Sequence, residues 1–234
     1  YRMAATAPVP GDIVELGSWI GLTTCYLATA CVVTGEGRVH AVDTFEGTRE
    51  DGGRYPSISK FGDTTLPEFK RRIRRAGLAE HIDILKGLTT DAVHAYRGRR
   101  IRMLLIDADH AYDGVRTDFE DWSPLVAPGG LIVFHDYLMP DVARFVDNVV
   151  AARTDIAMTP GLVDPNVMAV TKRASVAPVS ASASRTHAIS PATSTQGGVP
   201  VSAPQHGIVS TCRAQSHPIV ADREPLPRAE ATNP

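Results

Sequence analysis

The chain has 234 residues, of which 43% are hydrophobic and 21% are charged, and its formal net charge is −2. This length suffices for one sizeable domain followed by a tail. The composition lacks the basic excess of a nucleic-acid-binding protein, and no apolar run reaches the roughly 18–20 residues that cross a membrane. We therefore expect neither a nucleic-acid partner nor a membrane partner.

Cysteine usage and the first residues indicate a cytoplasmic setting. The start of the chain shows no basic segment followed by an apolar one, which is the pattern of a secretory signal. The three cysteines, Cys25, Cys31 and Cys212, are an odd number and lack the spacing of a metal site. Cys25 and Cys31 fall in an apolar helical stretch and are interpreted as small core residues. A reducing, cytoplasmic compartment fits this pattern.

Taken in chain order, short apolar runs alternate with longer segments of helical pattern. The first run, Asp12–Leu16, ends at a turn glycine and is typical of a buried strand. The segment 64–76 has Leu66, Phe69 and Ile73 on one face and stops at Gly77, as an amphipathic helix does. The predicted strands are 12–16, 38–42, 81–85, 102–106 and 131–134, followed by an antiparallel pair at 156–159 and 167–170. The predicted helices are 22–33, 64–76, 89–96, 113–122 and 141–152.

This alternation predicts an α/β fold, with a Rossmann-like, mostly parallel sheet of seven strands covered by helices on both faces. The composition changes near Lys172, beyond which Ala, Ser, Thr, Pro, Gly and Gln dominate. Such a segment buries too little apolar surface to offset its ordering entropy. We expect one domain over residues 8–173 and a disordered low-complexity tail over 174–234. Ligands of such a sheet bind beyond the carboxyl ends of its strands.

A glycine-bearing turn follows the first predicted strand. Gly17 and Gly21 flank it, and glycine allows the close backbone approach that a ligand at a strand tip needs. The turn is one glycine short of a pyrophosphate-binding fingerprint, and Glu15 before it would repel a pyrophosphate and favour a cationic ligand. Asp43 ends the next strand, where a carboxylate can accept hydrogen bonds from both ribose hydroxyls. A helix cap or turn aspartate is the alternative for Asp43.

Four segments, in this order, resemble the motifs of class I S-adenosylmethionine-dependent methyltransferases. They are 14–21 (Val-Glu-Leu-Gly-Ser-Trp-Ile-Gly), 41–47, which contains Asp43, 104–112 and 128–137. The last two are most similar to the small-molecule O-methyltransferase branch of antibiotic and sugar tailoring pathways. The resemblance covers about residues 12–171 and leaves out the tail.

The resemblance implies S-adenosylmethionine as cofactor and a hydroxyl group of a small molecule as methyl acceptor. It implies that Glu15, Gly17 and Gly21 surround the methionine end of the cofactor and that Asp43 binds its ribose. The residues after the third strand would lie beside the adenine. The predicted cofactor-binding residues are therefore Glu15, Gly17, Ser18, Gly21, Asp43, Gly87, Leu88 and Asp107.

Acidic and imidazole side chains follow the fourth and fifth strands. Asp107 ends the fourth strand, and His135 and Asp136 end the fifth, which should lie next to it. Converging carboxylates suit Mg²⁺, and the resemblance implies Asp107 and Asp136 as its ligands. His135 stands where some relatives have a carboxylate or an amide, which shifts the preference towards a metal that accepts imidazole. We predict a metal site at Asp107, His135 and Asp136; the alternative is that the two acids only orient the cofactor and the loop.

His110, three residues after Asp107, is the predicted general base. An imidazole titrates near neutral pH and can take the proton of an alcohol nucleophile. Related sugar O-methyltransferases are similar in this Asp-x-x-His arrangement. A loop histidine that only donates hydrogen bonds is the alternative.

Two other functions stay open from the sequence. A truncated or degenerate relative would bind the cofactor without activity, and a nucleotide-dependent oxidoreductase is disfavoured by the glycine spacing. Segment 48–62 is long for a connection in this fold and is either a substrate lid or a plain surface loop. The sequence does not determine the methyl acceptor or the oligomeric state, and a homo-oligomer is one alternative.

Overall fold

The computed structural model describes residues 1–47, 49–50, 53–54, 56–158 and 164–174. Its main sheet has seven strands, as the sequence predicts. They are β1 (Asp12–Leu16), β2 (Val39–Asp43), β5 (Ile82–Lys86), β6 (Ile101–Ile106), β7 (Val126–Phe134), β8 (Ile156–Met158) and β9 (Met168–Lys172). A separate pair of two-residue strands, β3 (Arg49–Glu50) and β4 (Gly53–Arg54), follows β2. The predicted tail, apart from Ala174, lies outside the described residues.

Helices cover both faces of the sheet, which confirms the predicted fold class. They are α1 (Arg2–Ala5), α2 (Leu22–Thr34), α3 (Leu66–Arg75), α4 (Thr89–Ala95), α5 (Tyr112–Trp122) and α6 (Pro140–Phe145), which continues as a π-turn over Val146–Val150. Alternate residues of the buried strands face opposite layers. Ile13 of β1 shares one core with Leu27 of α2, and its neighbour Val14 shares the other core with Phe119 of α5. None of the helices among the described residues is long and apolar enough to cross a membrane.

The strand order β5-β2-β1-β6-β7-β9-β8 places the topological switch between β1 and β6. β1 pairs in parallel with both β2 and β6, and β6 pairs in parallel with β7. β9 pairs antiparallel with β8, as predicted, and it also runs antiparallel to β7. After β1 the chain forms β2 and β5 on one side of β1, and it then forms β6 and β7 on the other side. A crevice therefore opens at the carboxyl ends of these strands.

Several predicted boundaries were wrong by a few residues. β7 begins at Val126 rather than at residue 131, because Val126 pairs with Ile101 ahead of a register irregularity. Pro128-Gly129-Gly130, predicted as a turn, lies within this strand. The third strand begins at Ile82, after a 3₁₀ turn.

Segment 48–62, the predicted lid or loop, holds β3, β4 and the 3₁₀ turn Pro56–Phe61. Residues 48, 51, 52 and 55 of this segment lie outside the described part of the chain. The ring of Phe61 meets Trp19 of the glycine turn edge to face, with ring centroids 6.0 Å apart. The end of the segment therefore packs against the turn that follows β1.

The close approach between Gly17, which follows β1, and Asp107, which follows β6, leads to a prediction about stability. Gly17 has φ +87°, and a Cβ atom there would collide with the carbonyl group of Asp107. Gly17→Ala should lower the free energy of unfolding by about 3 kcal/mol or more, measured by urea denaturation. Gly35→Ala is the matched control, with φ +67° and open space around a Cβ, and should cost only about 1–2 kcal/mol. Equal losses in both variants would contradict the close approach.

Candidate active site

A cleft of about 1040 Å³ opens at the carboxyl ends of β1, β2, β5, β6 and β7. Eight residues predicted to bind cofactor, metal or substrate line it: Gly17, Asp43, Gly87, Leu88, Asp107, His110, His135 and Asp136. The other three predicted residues, Glu15, Ser18 and Gly21, are not among its lining residues. The assignment of these three residues to the cofactor stays a prediction.

Asp43 ties the glycine turn to the end of β2. Its Oδ2 atom accepts hydrogen bonds from the backbone N–H groups of Ser18 at 2.8 Å and Trp19 at 2.7 Å. Its Oδ1 atom accepts one from Phe45 at 2.6 Å. Burial raises the pKa of Asp43 above its ordinary value, although these three N–H groups oppose the shift. A carboxylate offers about four lone-pair positions, so Asp43 keeps capacity for a ligand hydroxyl while it holds the turn.

Glu15 lies beneath the turn, with no exposed surface. Its Oε2 atom accepts a hydrogen bond of 2.5 Å from the hydroxyl of Thr24 on α2. Burial raises the pKa of Glu15 to about 8, so the group carries a proton at neutral pH. Burial thus favours the neutral form of Glu15, whereas the repulsion of a pyrophosphate expected from the sequence requires the charged form. That expectation stays a prediction.

Ser18 and Gly21 also support the turn from behind. The side chain of Ser18 is buried, and a Cβ atom on Gly21 would meet the ring of Phe69 on α3. Trp19, between them, has the left-handed φ of +49°, which is unusual for a bulky residue. The turn is thus fixed by packing on one side and by Asp43 on the other.

Asp107, His110 and Asp136 form a compact cluster at the ends of β6 and β7. His110 Nε2 lies 3.1 Å from Asp136 Oδ2 and 3.5 Å from Asp107 Oδ1. One donor atom from each of the three residues lies within 4.8 Å of the other two, so the described residues could share an ion here. Burial alone would raise the pKa of Asp107, but hydrogen bonds with His110 and His135 outweigh it and hold that pKa below its ordinary value.

His135 belongs to the same network but carries a proton. Its Nδ1 atom lies 3.2 Å from Asp107 Oδ1 and 3.3 Å from Asp136 Oδ1. The hydrogen bond with Asp107 raises the pKa of His135 to about 9. Among the described residues, the group whose donor atoms lie close enough to share an ion contains His110 in place of the predicted His135. The metal site at Asp107, His135 and Asp136 stays a prediction.

Sequence reasoning missed two polar residues of this region. Asn166, in the loop before β9, donates a hydrogen bond of 2.8 Å from Nδ2 to Asp136 Oδ1. Asp118 of α5 is buried at the cleft wall, and burial raises its pKa to about 6. Asn166 carries no motif and lies 30 residues from its partner. Asp118 follows the predicted helix pattern, but the sequence does not reveal that its carboxyl group is buried.

The charge of the cleft is one-sided. No Lys or Arg is among the described lining residues. Seven carboxyl side chains are: Asp43, Glu46, Asp107, Asp109, Asp113, Asp118 and Asp136. Walls of one sign concentrate ligands of the opposite sign. The cleft therefore suits a cationic ligand and disfavours a polyphosphate.

A smaller cleft of about 480 Å³ lies at the amino ends of β1, β2 and β5. Its charged groups pair with one another: Arg38 Nε lies 2.7 Å from Asp83 Oδ2, and His40 Nε2 lies 3.1 Å from Asp12 Oδ2. These contacts cross-link three strands, which accounts for the charges there without a ligand.

Comparisons with known proteins identify the family of the chain. Residues 14–137, more than half of the chain, match the family described as "Methyltransferase domain". A curated relative is the 8-demethyl-8-(2,3-dimethoxy-alpha-L-rhamnosyl)-tetracenomycin-C 4'-O-methyltransferase of Streptomyces olivaceus. It is 26% identical over 141 residues, which are 55% of this chain and 54% of the relative. The aligned part thus spans about half the length of this relative.

Solved structures share the fold. The O-methyltransferase NovP is 22% identical, with a TM-score of 0.59 over 74% of this chain and 78% of NovP. The O-methyltransferase TomG of Streptomyces achromogenes, solved in complex with SAM, is 18% identical. Its TM-score is 0.53 over 74% of this chain and 77% of TomG. At these identities the likeness shows a common fold.

The buried Glu15 predicts how stability depends on pH. Its pKa is about 8 in the folded chain and about 4.3 when unfolded. The folded state therefore binds more protons between these values, and this group makes the protein less stable as the pH rises. Glu15→Gln removes the effect. Relative to wild type, the variant should gain on the order of 3 kcal/mol in unfolding free energy between pH 5 and pH 8.

Urea denaturation at pH 5, 6.5 and 8 measures this difference. Glu46→Gln is the control, because Glu46 is exposed at the cleft rim. A constant difference between Glu15→Gln and wild type across this range would show that Glu15 is ionised in the folded protein.

Proposed function

This chain belongs to the methyltransferase-domain family, and on that basis we propose that it transfers the methyl group of S-adenosylmethionine to a hydroxyl group of a small molecule. The observation that carries the proposal is the position of His110 beside Asp107 and Asp136, at the wall of a cleft whose described lining has no Lys or Arg. When bound, S-adenosylmethionine supplies an electrophilic methyl group on a positively charged sulfonium.

Cofactor binding is the first part of the proposal. The acidic cleft favours a sulfonium cation over the uncharged thioether that remains after transfer. Asp43 keeps a lone pair for a ribose hydroxyl while it fixes the turn between Gly17 and Trp19. Gly87 and Leu88 line the cleft after β5, and we assign them to the adenine side. Glu15, Ser18 and Gly21 act by holding the turn from behind.

His110 is the proposed general base. Its Nε2 atom faces the carboxylate of Asp136 at 3.1 Å, which fixes the orientation of the ring. The imidazole takes the hydroxyl proton of the acceptor. Asp136 and Asp107 stabilise the imidazolium that forms, in the role of the orienting carboxylate in a catalytic triad.

The same donor set fits a divalent cation. Two carboxylates and an imidazole are suitable ligands for a borderline ion such as Mn²⁺, and the carboxylates alone also suit Mg²⁺. Asp107 and Asp136 would hold such an ion, with His110 as the third ligand. A bound ion supplies Lewis acidity that lowers the pKa of an acceptor hydroxyl. With such an ion, His110 would act as a ligand instead of a base. The metal-dependent and the metal-free mechanisms differ in their response to a chelator.

The acceptor class follows from a relative's name and from the charge of the cleft. The Streptomyces olivaceus relative is named for 4'-O-methylation of a rhamnosyl-tetracenomycin. We extend this to an uncharged sugar or polyketide-type hydroxyl compound, because seven carboxyl side chains line the cleft and would repel an anionic acceptor.

Binding of S-adenosylhomocysteine tests the cofactor site. Wild type should bind it in calorimetry, and Asp43→Asn should weaken binding about 10- to 100-fold, since a hydrogen bond to a charged group contributes about 1.5–3 kcal/mol. Glu80→Gln, which removes an exposed carboxyl group outside this cleft, should stay within about 2-fold. Binding of NADH instead of S-adenosylhomocysteine would contradict the proposal.

Transfer itself is tested by the release of S-adenosylhomocysteine with methyl α-L-rhamnopyranoside and 4-nitrophenyl α-L-rhamnopyranoside as acceptors. His110→Gln should lower kcat about 10²- to 10⁴-fold, whereas His94→Gln, outside the cleft lining, should not. Loss of activity with EDTA and its recovery with Mg²⁺ or Mn²⁺ would show that the transfer depends on a metal ion. Cofactor binding without transfer to any acceptor would favour the inactive relative.

A further inference from the structure

Asn166 holds the turn that follows β7 at three points. Its side-chain Nδ2 donates to Asp136 Oδ1 at 2.8 Å. Its side-chain Oδ1 accepts from the backbone N–H of Leu138 at 3.3 Å, and its own carbonyl oxygen accepts from the N–H of Tyr137 at 3.1 Å. Three consecutive residues of the turn are thus bonded to one asparagine from another loop.

The chemistry of this contact requires an amide side chain. An asparagine offers both a donor and an acceptor, and both are used here. Aspartate has the same shape and keeps the acceptor for Leu138, but it has no donor and would place a second negative charge beside Asp136. Alanine loses both contacts. The backbone N–H of Asn166 is itself bonded to Asp164 Oδ1 at 2.9 Å, which fixes the loop locally.

Asp136 needs such a support. It has the left-handed φ of +51°, a conformation that a non-glycine residue keeps only when its surroundings enforce it. Its two carboxylate oxygens have different partners: Oδ1 faces Asn166 and His135, and Oδ2 faces His110 at 3.1 Å. The bond from Asn166 to Oδ1 therefore sets the orientation in which Oδ2 meets His110.

We propose that Asn166 is a positioning residue that orients the carboxylate of Asp136 towards His110 and so couples the loop before β9 to the reacting centre. It acts through Asp136 and does not contact the substrate. The consequence for catalysis rests on the proposed methyl transfer, whereas the orientation of Asp136 is independent of it. Groups that orient a catalytic or metal-binding carboxylate typically change activity about 10- to 100-fold when they are removed.

The test compares Asn166→Asp and Asn166→Ala with the control Asn148→Ala in the full chain. Asn148 is an exposed asparagine on the turn after α6. Both Asn166 variants should lower kcat about 10- to 100-fold, with S-adenosylhomocysteine affinity and the midpoint of thermal unfolding near the wild-type values. Asn166→Asp should be at least as impaired as Asn166→Ala, although it keeps the shape and the acceptor. Asn148→Ala should match wild type.

Crystal structures of the same variants give a readout that does not need activity. In Asn166→Asp the Asp136 carboxylate should turn away and lose its contact with His110, and in Asn148→Ala it should not move. An unchanged carboxylate in both Asn166 variants, or a kcat within 2-fold of an active wild type, would overturn the inference. If wild type transfers no methyl group but Asp136 turns as expected, the proposed function fails and the positioning role stands. A fall in kcat matched by equal losses of cofactor affinity and stability would show a merely structural role.

Discussion

The site depends on the electrostatic balance between two carboxylates and two imidazoles at the ends of adjacent parallel strands. Asp107 and Asp136 follow β6 and β7, so the sheet itself brings two negative charges together. Their repulsion in a half-buried setting would be costly without compensation. His110 and His135 supply it, each within 3.5 Å of both carboxylates. The raised pKa of His135 and the lowered pKa of Asp107 are two expressions of this balance.

This arrangement gives the two histidines different tasks. The hydrogen bond with Asp107 raises the pKa of His135 to about 9, and its side chain is 41% exposed, so we assign it the role of a counter-charge. His110 is more deeply placed and faces Asp136 through Nε2, and we assign the proton transfer to its imidazole. The turn that carries Asp136 is strained, and Asn166 holds it from a separate loop. The reactive cluster is therefore built from three chain segments that only the complete sheet brings together.

Local patterns predicted the centre of the fold well. β1 is a buried run between polar breaks, and its boundaries agree with the prediction, as does the helical segment of α2 within one residue. The start of β7 was missed because Pro128-Gly129-Gly130 has the local signature of a turn. Its pairing with Ile101 is a long-range interaction that local signals do not contain. The short strands β3 and β4, which pair with each other, were not predicted.

The candidate site, like the fold, could be predicted from the sequence only in part. The rule that ligands bind at strand ends located Asp43, Asp107 and Asp136 in one cleft. The sequence did not reveal that Glu15 is fully buried, which raises its pKa, nor that Asn166 reaches Asp136. Residue type and spacing give the chemistry that is available. Burial and contacts between distant loops decide which of it is used.

A crystal structure of the full chain with S-adenosylhomocysteine tests the central claim most directly. The account predicts that the ligand lies in the cleft, with a ribose hydroxyl within hydrogen-bond distance of Asp43 and its sulfur atom facing His110. A ligand bound elsewhere, or a cleft that stays empty at millimolar ligand, would contradict it.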